Sequence, residues 1–170
     1  MGSQSSTEGG SRNGVAGQNW TWDGVRFEIL HPASAQAQAR KTNDLSCVLK
    51  VSAGARSMLL TGDIEKISEA ELVERGAAAL AADVLLVPHH GSRSSSSAAF
   101  LAAVGAQAAV VPAGYRNRFG HPHADVLERL KAKTYRTDLD GAVTVRLSKE
   151  TLDIGGERQR RRRYWHDAPT

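Results

Sequence analysis

Aromatic side chains are scarce in this chain: three Trp, three Tyr and three Phe make up 5% of its 170 residues. A core must therefore be filled by Ala, Leu and Val. With 41% hydrophobic and 24% charged residues, the chain still has the material for one globular domain that buries a core. That balance excludes a collagen-like, coiled-coil or wholly disordered chain. Cysteine is nearly absent. Cys47 stands alone, so no disulfide framework and no Cys-based metal site can form, and its apolar neighbours predict a small buried hydrophobe. Long apolar runs are also missing. Residues 94–115 carry no charge, but four consecutive serines, Gly105, Gln107, Pro112 and many alanines make the run too weak for a spanning helix. The start, Met1-Gly-Ser-Gln-Ser-Ser, has neither the basic head nor the apolar run of a signal peptide.

Charge of one sign is concentrated at one end. The formal net charge is +4 and the pI near 9.5. Residues 157–170 hold Arg158, Arg160, Arg161, Arg162 and Arg163 against Glu157 and Asp167, which accounts for +3 of that total. The body is nearly neutral, and the basicity reads as a solvated tail. The alternative is a metal-free nucleic-acid-binding or scaffold module in which this tail makes the phosphate contacts.

Three segments are expected: 1–19, Gly-, Ser- and Asn-rich and disordered; a domain over 20–156; and the tail 157–170. After a turn at 20–24, Val25, Phe27 and Ile29 alternate with Arg26 and Glu28 and predict a strand over 25–30. Strands over 45–52 and 56–61, joined at Ala53-Gly54, form a hairpin. Ser68 and Glu71 have capping-box spacing and predict a helix running to about 80. A buried strand over 83–88 follows, then a helix over 97–104, a strand over 108–112, a loop from 114 to 120 and a helix from Pro122 to about 131. Short strands over 134–137, 142–147 and 151–154 complete an α/β layer with a mixed sheet.

Chemistry is expected at two strand ends. Asp63 follows Met58-Leu-Leu-Thr-Gly, and His89-His90-Gly91-Ser92 follows Asp83-Val-Leu-Leu-Val-Pro. In α/β sheets ligands bind beyond the carboxyl ends of the strands, so these groups would be aimed at one point. A carboxylate with imidazoles suits zinc, manganese or iron. Taken singly, Asp63 reads as a turn or cap and the histidines as a surface loop; taken together they read as a site. Ser92 and the serines at 94–97 precede a helix start, where hydroxyls and free amides make an anion pocket, although such a run is commonly a linker. His121-Pro-His123-Ala-Asp125 looks like most of a His-x-His-x-Asp-His metal motif, but Val126 replaces the last His; it reads as a decoy in which His123 and Asp125 open a helix.

These residues, taken in order, resemble a known family. Asn43-Asp-Leu-Ser46-Cys-Val-Leu-Lys, Leu59-Leu-Thr-Gly-Asp63-Ile-Glu65, Ala82-Asp-Val-Leu-Leu-Val-Pro-His89-His90-Gly-Ser92, Asn117-Arg-Phe-Gly-His121-Pro122 and Thr137-Asp-Leu-Asp-Gly141-Ala are similar to the last part of the metallo-β-lactamase-fold domain of ComEC-type DNA-uptake channel proteins. Trp22-Asp-Gly-Val-Arg-Phe-Glu-Ile-Leu-His-Pro32 and Arg163-Tyr-Trp165 extend the likeness over about residues 20–165.

The resemblance implies the carboxyl-terminal half of a metallo-β-lactamase-like αββα fold, part of a two-metal (zinc or manganese) hydrolase that degrades single-stranded DNA. Its parent would be a bacterial inner-membrane protein with this domain on the extracytoplasmic side, the piece itself being soluble. Asp63 matches the metal-bridging aspartate. One of His89 and His90 matches a late metal ligand, with the other beside it, and His90 and His121 are the catalytic candidates. Asn117 and His121 match the loop near the substrate phosphate, and Ser92 is the further substrate-binding candidate. The main His-x-His-x-Asp-His motif belongs to the preceding half of such a domain and is absent here. The piece is thus expected to bind metal weakly, to lack activity alone, and to self-associate through the face its missing half would cover.

Overall fold

The computed structural model describes residues 14–33 and 42–161. Turn chemistry builds the first half of its sheet. β1 (Asn19–Trp22) and β2 (Val25–His31) pair antiparallel across Asp23-Gly24, both at positive φ, which matches the twist of a two-residue hairpin. β3 (Val48–Ala53) pairs with β2 and, across Gly54-Ala55, with β4 (Arg56–Leu60), both antiparallel. From β4 onward the pairing turns parallel. β5 (Val84–Leu86), β6 (Ala108–Val111) and β7 (Lys133–Arg136) are reached through helices α1 (Lys66–Leu80), α2 (Ala98–Val104) and α3 (Ala124–Arg129). The seven strands lie in chain order, β1 to β7. Then α4 (Thr137–Asp140), a separate hairpin of β8 (Val143–Leu147) and β9 (Leu152–Gly156), and α5 (Glu157–Arg160) follow.

Period-2 alternation decides which side chain meets which layer. On one face Val48, Leu59 and Leu85 pack against Leu72 and Leu80 of α1 and Phe100 and Val104 of α2. Ala109 and Val111 meet Val126 of α3 on the same face. On the other face Val84, Ala108, Val110 and Tyr135 pack against Val143, Val145, Leu152 and Ile154 of the β8–β9 hairpin. This is the mixed α/β fold that the alternation of strands and helices predicts. The hairpin covers the parallel half of its face. Over the antiparallel half, Trp20 stacks on Phe27 and register carries the row on through Val51 to Met58. Trp20 and Trp22 there remain 45% and 70% exposed. Among the described residues no helix is long and apolar enough to cross a membrane.

Several expectations are corrected. Part of the stretch 1–19 is ordered: the Ala16 amide donates to the Pro32 carbonyl, Gly17 to Ile29, and β1 starts at Asn19. Residues 1–13 lie outside the described residues. Ser68 is not an N-cap, because α1 begins two residues earlier; its buried hydroxyl donates to Asp44 Oδ1 at 2.9 Å instead. Residues 42–45 form a 3-10 turn rather than the start of a strand, so Cys47 sits in the link before β3 and is exposed. The tail is not wholly solvated: Arg158 donates to the Leu139 carbonyl, Arg160 pairs with Asp153 and Arg161 with Glu157. Arg162, Arg163 and the Tyr-Trp165 pair lie outside the described residues.

Candidate functional site

Three parallel strands end side by side, and their ends carry the polar groups. After β4, Thr61 is buried and donates to the Leu86 carbonyl at 2.6 Å, locking this strand end to the next. Gly62 has φ of +55°, and a Cβ there would lie 2.9 Å from Ser46 Cβ, so only glycine fits the turn. Asp63 follows, its amide donating to Ser46 Oγ at 3.1 Å. The expected tight turn before the carboxylate is thus present.

After β5 the chain enters a 3-10 turn, Pro88–Gly91, in which His89 and His90 have φ of +49° and +56°. Two adjacent non-glycine residues in the left-handed region carry strain of the kind that gathers at functional sites. His90 Nδ1 donates to the Pro112 carbonyl, at the end of β6, at 2.7 Å. That bond fixes the proton on Nδ1 and turns Nε2 toward Asp63 Oδ1, 3.6 Å away. The two side chains are 49% and 45% exposed, so the pair opens to solvent. His89 is enclosed instead. Asn43 Nδ2 reaches its Nε2 at 3.5 Å, while Ser94 Oγ and Glu65 Oε1 lie 3.3 and 3.5 Å from Nδ1. From sequence, Asn43, Ser46 and Glu65 have no role of their own, the runs around them standing out only through the family likeness, and Ser94 is placed in an anion pocket rather than against His89.

Gly91, at φ of +79°, lets the His turn abut the next loop: a Cβ would meet Pro122 Cβ at 2.6 Å. That loop, 114–121, is tied by Asn117, whose Nδ2 donates to the Gly114 and His121 carbonyls while Oδ1 accepts the His121 amide. Asn117 therefore shapes the loop and aims His121. The His121 ring lies 6.0 Å from His89 and 5.1 Å from His123, and a pocket of about 210 Å³ opens between His90, Asn117, Phe119 and His121. Burial, then the neighbouring His123, His89 and His90, lower the His121 pKa, so its ring is neutral near neutral pH.

The expected anion pocket at the start of α2 is already filled. Glu69 of α1, fully buried, accepts the Ser96 amide at 2.5 Å and the Ser97 amide at 2.8 Å. Its own carboxylate takes the place an external anion would need. Ser92 sits outside that arrangement, its Oγ 3.2 Å from Ser94 Oγ, in the loop behind His89. In the His121-Pro-His123-Ala-Asp125 segment the two imidazoles stay in contact, while His123 precedes α3 and Asp125 turns to Arg93 and Arg129.

In kind, Asp63 and His90 suit zinc or manganese. In number they do not, since catalytic zinc takes three protein ligands and structural zinc four. Among the described residues no group of three or more His, Cys, Asp or Glu is arranged to hold a metal ion. These residues do not by themselves make a complete metal site.

No family model matches the chain. Curated relatives do. It is 40% identical over 161 residues to Competence protein ComA of Neisseria gonorrhoeae, covering 91% of this chain and 22% of that protein. Recombination protein 2 of Haemophilus influenzae is 37% identical over 143 residues (82% and 18%), and ComE operon protein 3 of Bacillus subtilis 35% over 125 residues (72% and 16%). The chain spans about a fifth of the length of these relatives. Its homologues are thus proteins of the ComA, Recombination protein 2 and ComE operon protein 3 kind, matched along most of this chain at 35–40% identity.

Proposed function

We propose that this chain is part of a metallo-β-lactamase-like hydrolase unit that cleaves nucleic-acid phosphodiesters within a longer, membrane-anchored protein of DNA uptake. The observation that carries it is the orientation of His90. Its Nδ1–H is committed to the Pro112 carbonyl and its Nε2 faces Asp63 across the ends of β4 and β5, a hydrogen bond that fixes the ring and leaves Nε2 free to act as a ligand. His90 and Asp63 are therefore the donors this chain contributes, and His89 is the packed neighbour. Zinc or manganese, held with further donors from outside these residues, would supply Lewis-acid polarisation of a phosphodiester oxygen.

The remaining groups act around that point. His121, neutral and held by Asn117, stands where it can give or take a proton at a departing oxygen. Asn117 completes the substrate side by fixing the loop, and Ser92 supports His89 from behind through Ser94. The competence and recombination names of the relatives support DNA as the substrate. The test uses the longer protein. Asp63→Ala is expected to reduce metal-dependent cleavage of DNA by orders of magnitude with the fold kept, because a neutral side chain would not hold a divalent cation as a carboxylate would. Retention of most activity in a well-folded variant defeats the reading.

A further inference from the structure

The loop beside this site carries a feature the mechanism does not use. Tyr115 and Phe119 are 63% and 61% exposed, at the two ends of Tyr115-Arg-Asn-Arg-Phe119. Each ring has a guanidinium over it: Arg116 Cζ lies 5.2 Å from the Tyr115 centroid and Arg118 Cζ 4.8 Å from that of Phe119. Phe119 also stacks on His121, with centroids 5.8 Å apart and planes at 27°. Residues 112–124 contain no acidic side chain, and among the described residues neither Arg116 nor Arg118 has a carboxylate partner. Asn117 holds the loop from within, so the rings are displayed on a fixed frame.

We propose that loop 114–121 is a single-stranded nucleic-acid platform, on which unpaired bases stack on Tyr115 and Phe119 while Arg116 and Arg118 contact the flanking phosphates and lead the strand to His121. The alternation of rings and cations is the chemistry of sequence-tolerant single-strand binding. With no acidic side chain in residues 112–124, the two guanidiniums call for anions from outside the loop, which a phosphate backbone supplies at every nucleotide. A duplex hides its base faces, so the rings select unpaired strands. The platform deepens the hydrolase reading and rests on it for the destination of the strand, but binding needs neither metal nor cleavage.

The test is fluorescence anisotropy of the full 170-residue chain with a labelled oligothymidylate, its duplex and an abasic strand of equal length. Each ring removed in Tyr115→Ala and Phe119→Ala should weaken the oligothymidylate about 5- to 150-fold, and the abasic strand hardly at all. Tyr115→Phe and Phe119→Trp should restore binding, which excludes misfolding. Arg116→Gln with Arg118→Gln should lower the salt slope of binding by about 1.4. Binding unchanged in the double alanine variant overturns the proposal. So does equal loss for the abasic strand, or a change confined to sedimentation, which would make the loop a protein contact. Oligothymidylate binding that resists ring removal, beside cleavage that Asp63→Ala abolishes, sinks the platform alone. The reverse pattern sinks the hydrolase reading alone.

Discussion

Asp83 gathers three donors at the amino end of β5: the Ser57 amide, Arg56 Nη1 and Gln107 Nε2, each at 2.8 Å. Burial works against its charge, but the Ser57 amide, the Arg56 guanidinium and the Gln107 amide outweigh it and hold the carboxyl below its ordinary 3.8. The folded state thus binds this proton less tightly than the unfolded chain does. Its stabilisation is present above the unfolded value and lost as pH falls through the lower, folded one. Asp83→Asn should cost about 1–3 kcal/mol near neutral pH, with the gap to the parent chain closing below about pH 4. Urea unfolding at both pH values measures it. Gly91→Ala should cost about 1–3 kcal/mol through its positive φ, and the Pro122 collision should part His90 from the His121 loop. Asp63 and the two histidines were legible because each follows a recognisable buried strand. Their partners were not: Ser46 is 17 residues from Asp63 and Asn43 is 46 from His89, and no local pattern reports contacts at that distance.

Elements were legible where period and turn chemistry agree, as in the β3–β4 hairpin and the parallel strands. β1 was not, because all four of its residues are exposed and it pairs on one side only, so no alternation marks it. Nor was the join between α1 and α2. Ser68 and Glu71 have the spacing of a cap, yet the carboxylate that matters is Glu69, which accepts the Ser96 and Ser97 amides in the loop just before α2. Glutamine offers one acceptor oxygen where glutamate offers two. Glu69→Gln should therefore strand one of the Ser96 and Ser97 amides, cost about 1–3 kcal/mol and speed hydrogen exchange at those two amides more than within α2. Equal exchange in variant and parent would show that the carboxylate does not hold the loop.

The two faces of the sheet are covered unequally. The β8–β9 hairpin shields the parallel half as far as Met58, whereas Trp20 and Trp22 stand open on the antiparallel half and Phe27 and Val51 are only half-buried. An apolar row at a sheet edge pairs with whatever apolar surface it meets. Sedimentation velocity should show concentration-dependent dimers of this chain, and Trp20→Ser with Trp22→Ser should shift them toward monomer. A parent chain that stays monomeric at high concentration rejects that expectation.

The strand order carries one more consequence, for how such a molecule comes into being. Because β1 to β7 lie in the sheet as they lie in the chain, every pairing closes over the segment that immediately precedes it. Loop-closure entropy is then met in small instalments, and contact order stays low for a sheet of this width. Folding can proceed by accretion, each new strand or helix docking on the edge left by the last as it leaves the ribosome or a translocation pore. No step awaits a distant partner until the β8–β9 hairpin folds back over β5 to β7 and closes the layer beneath the site.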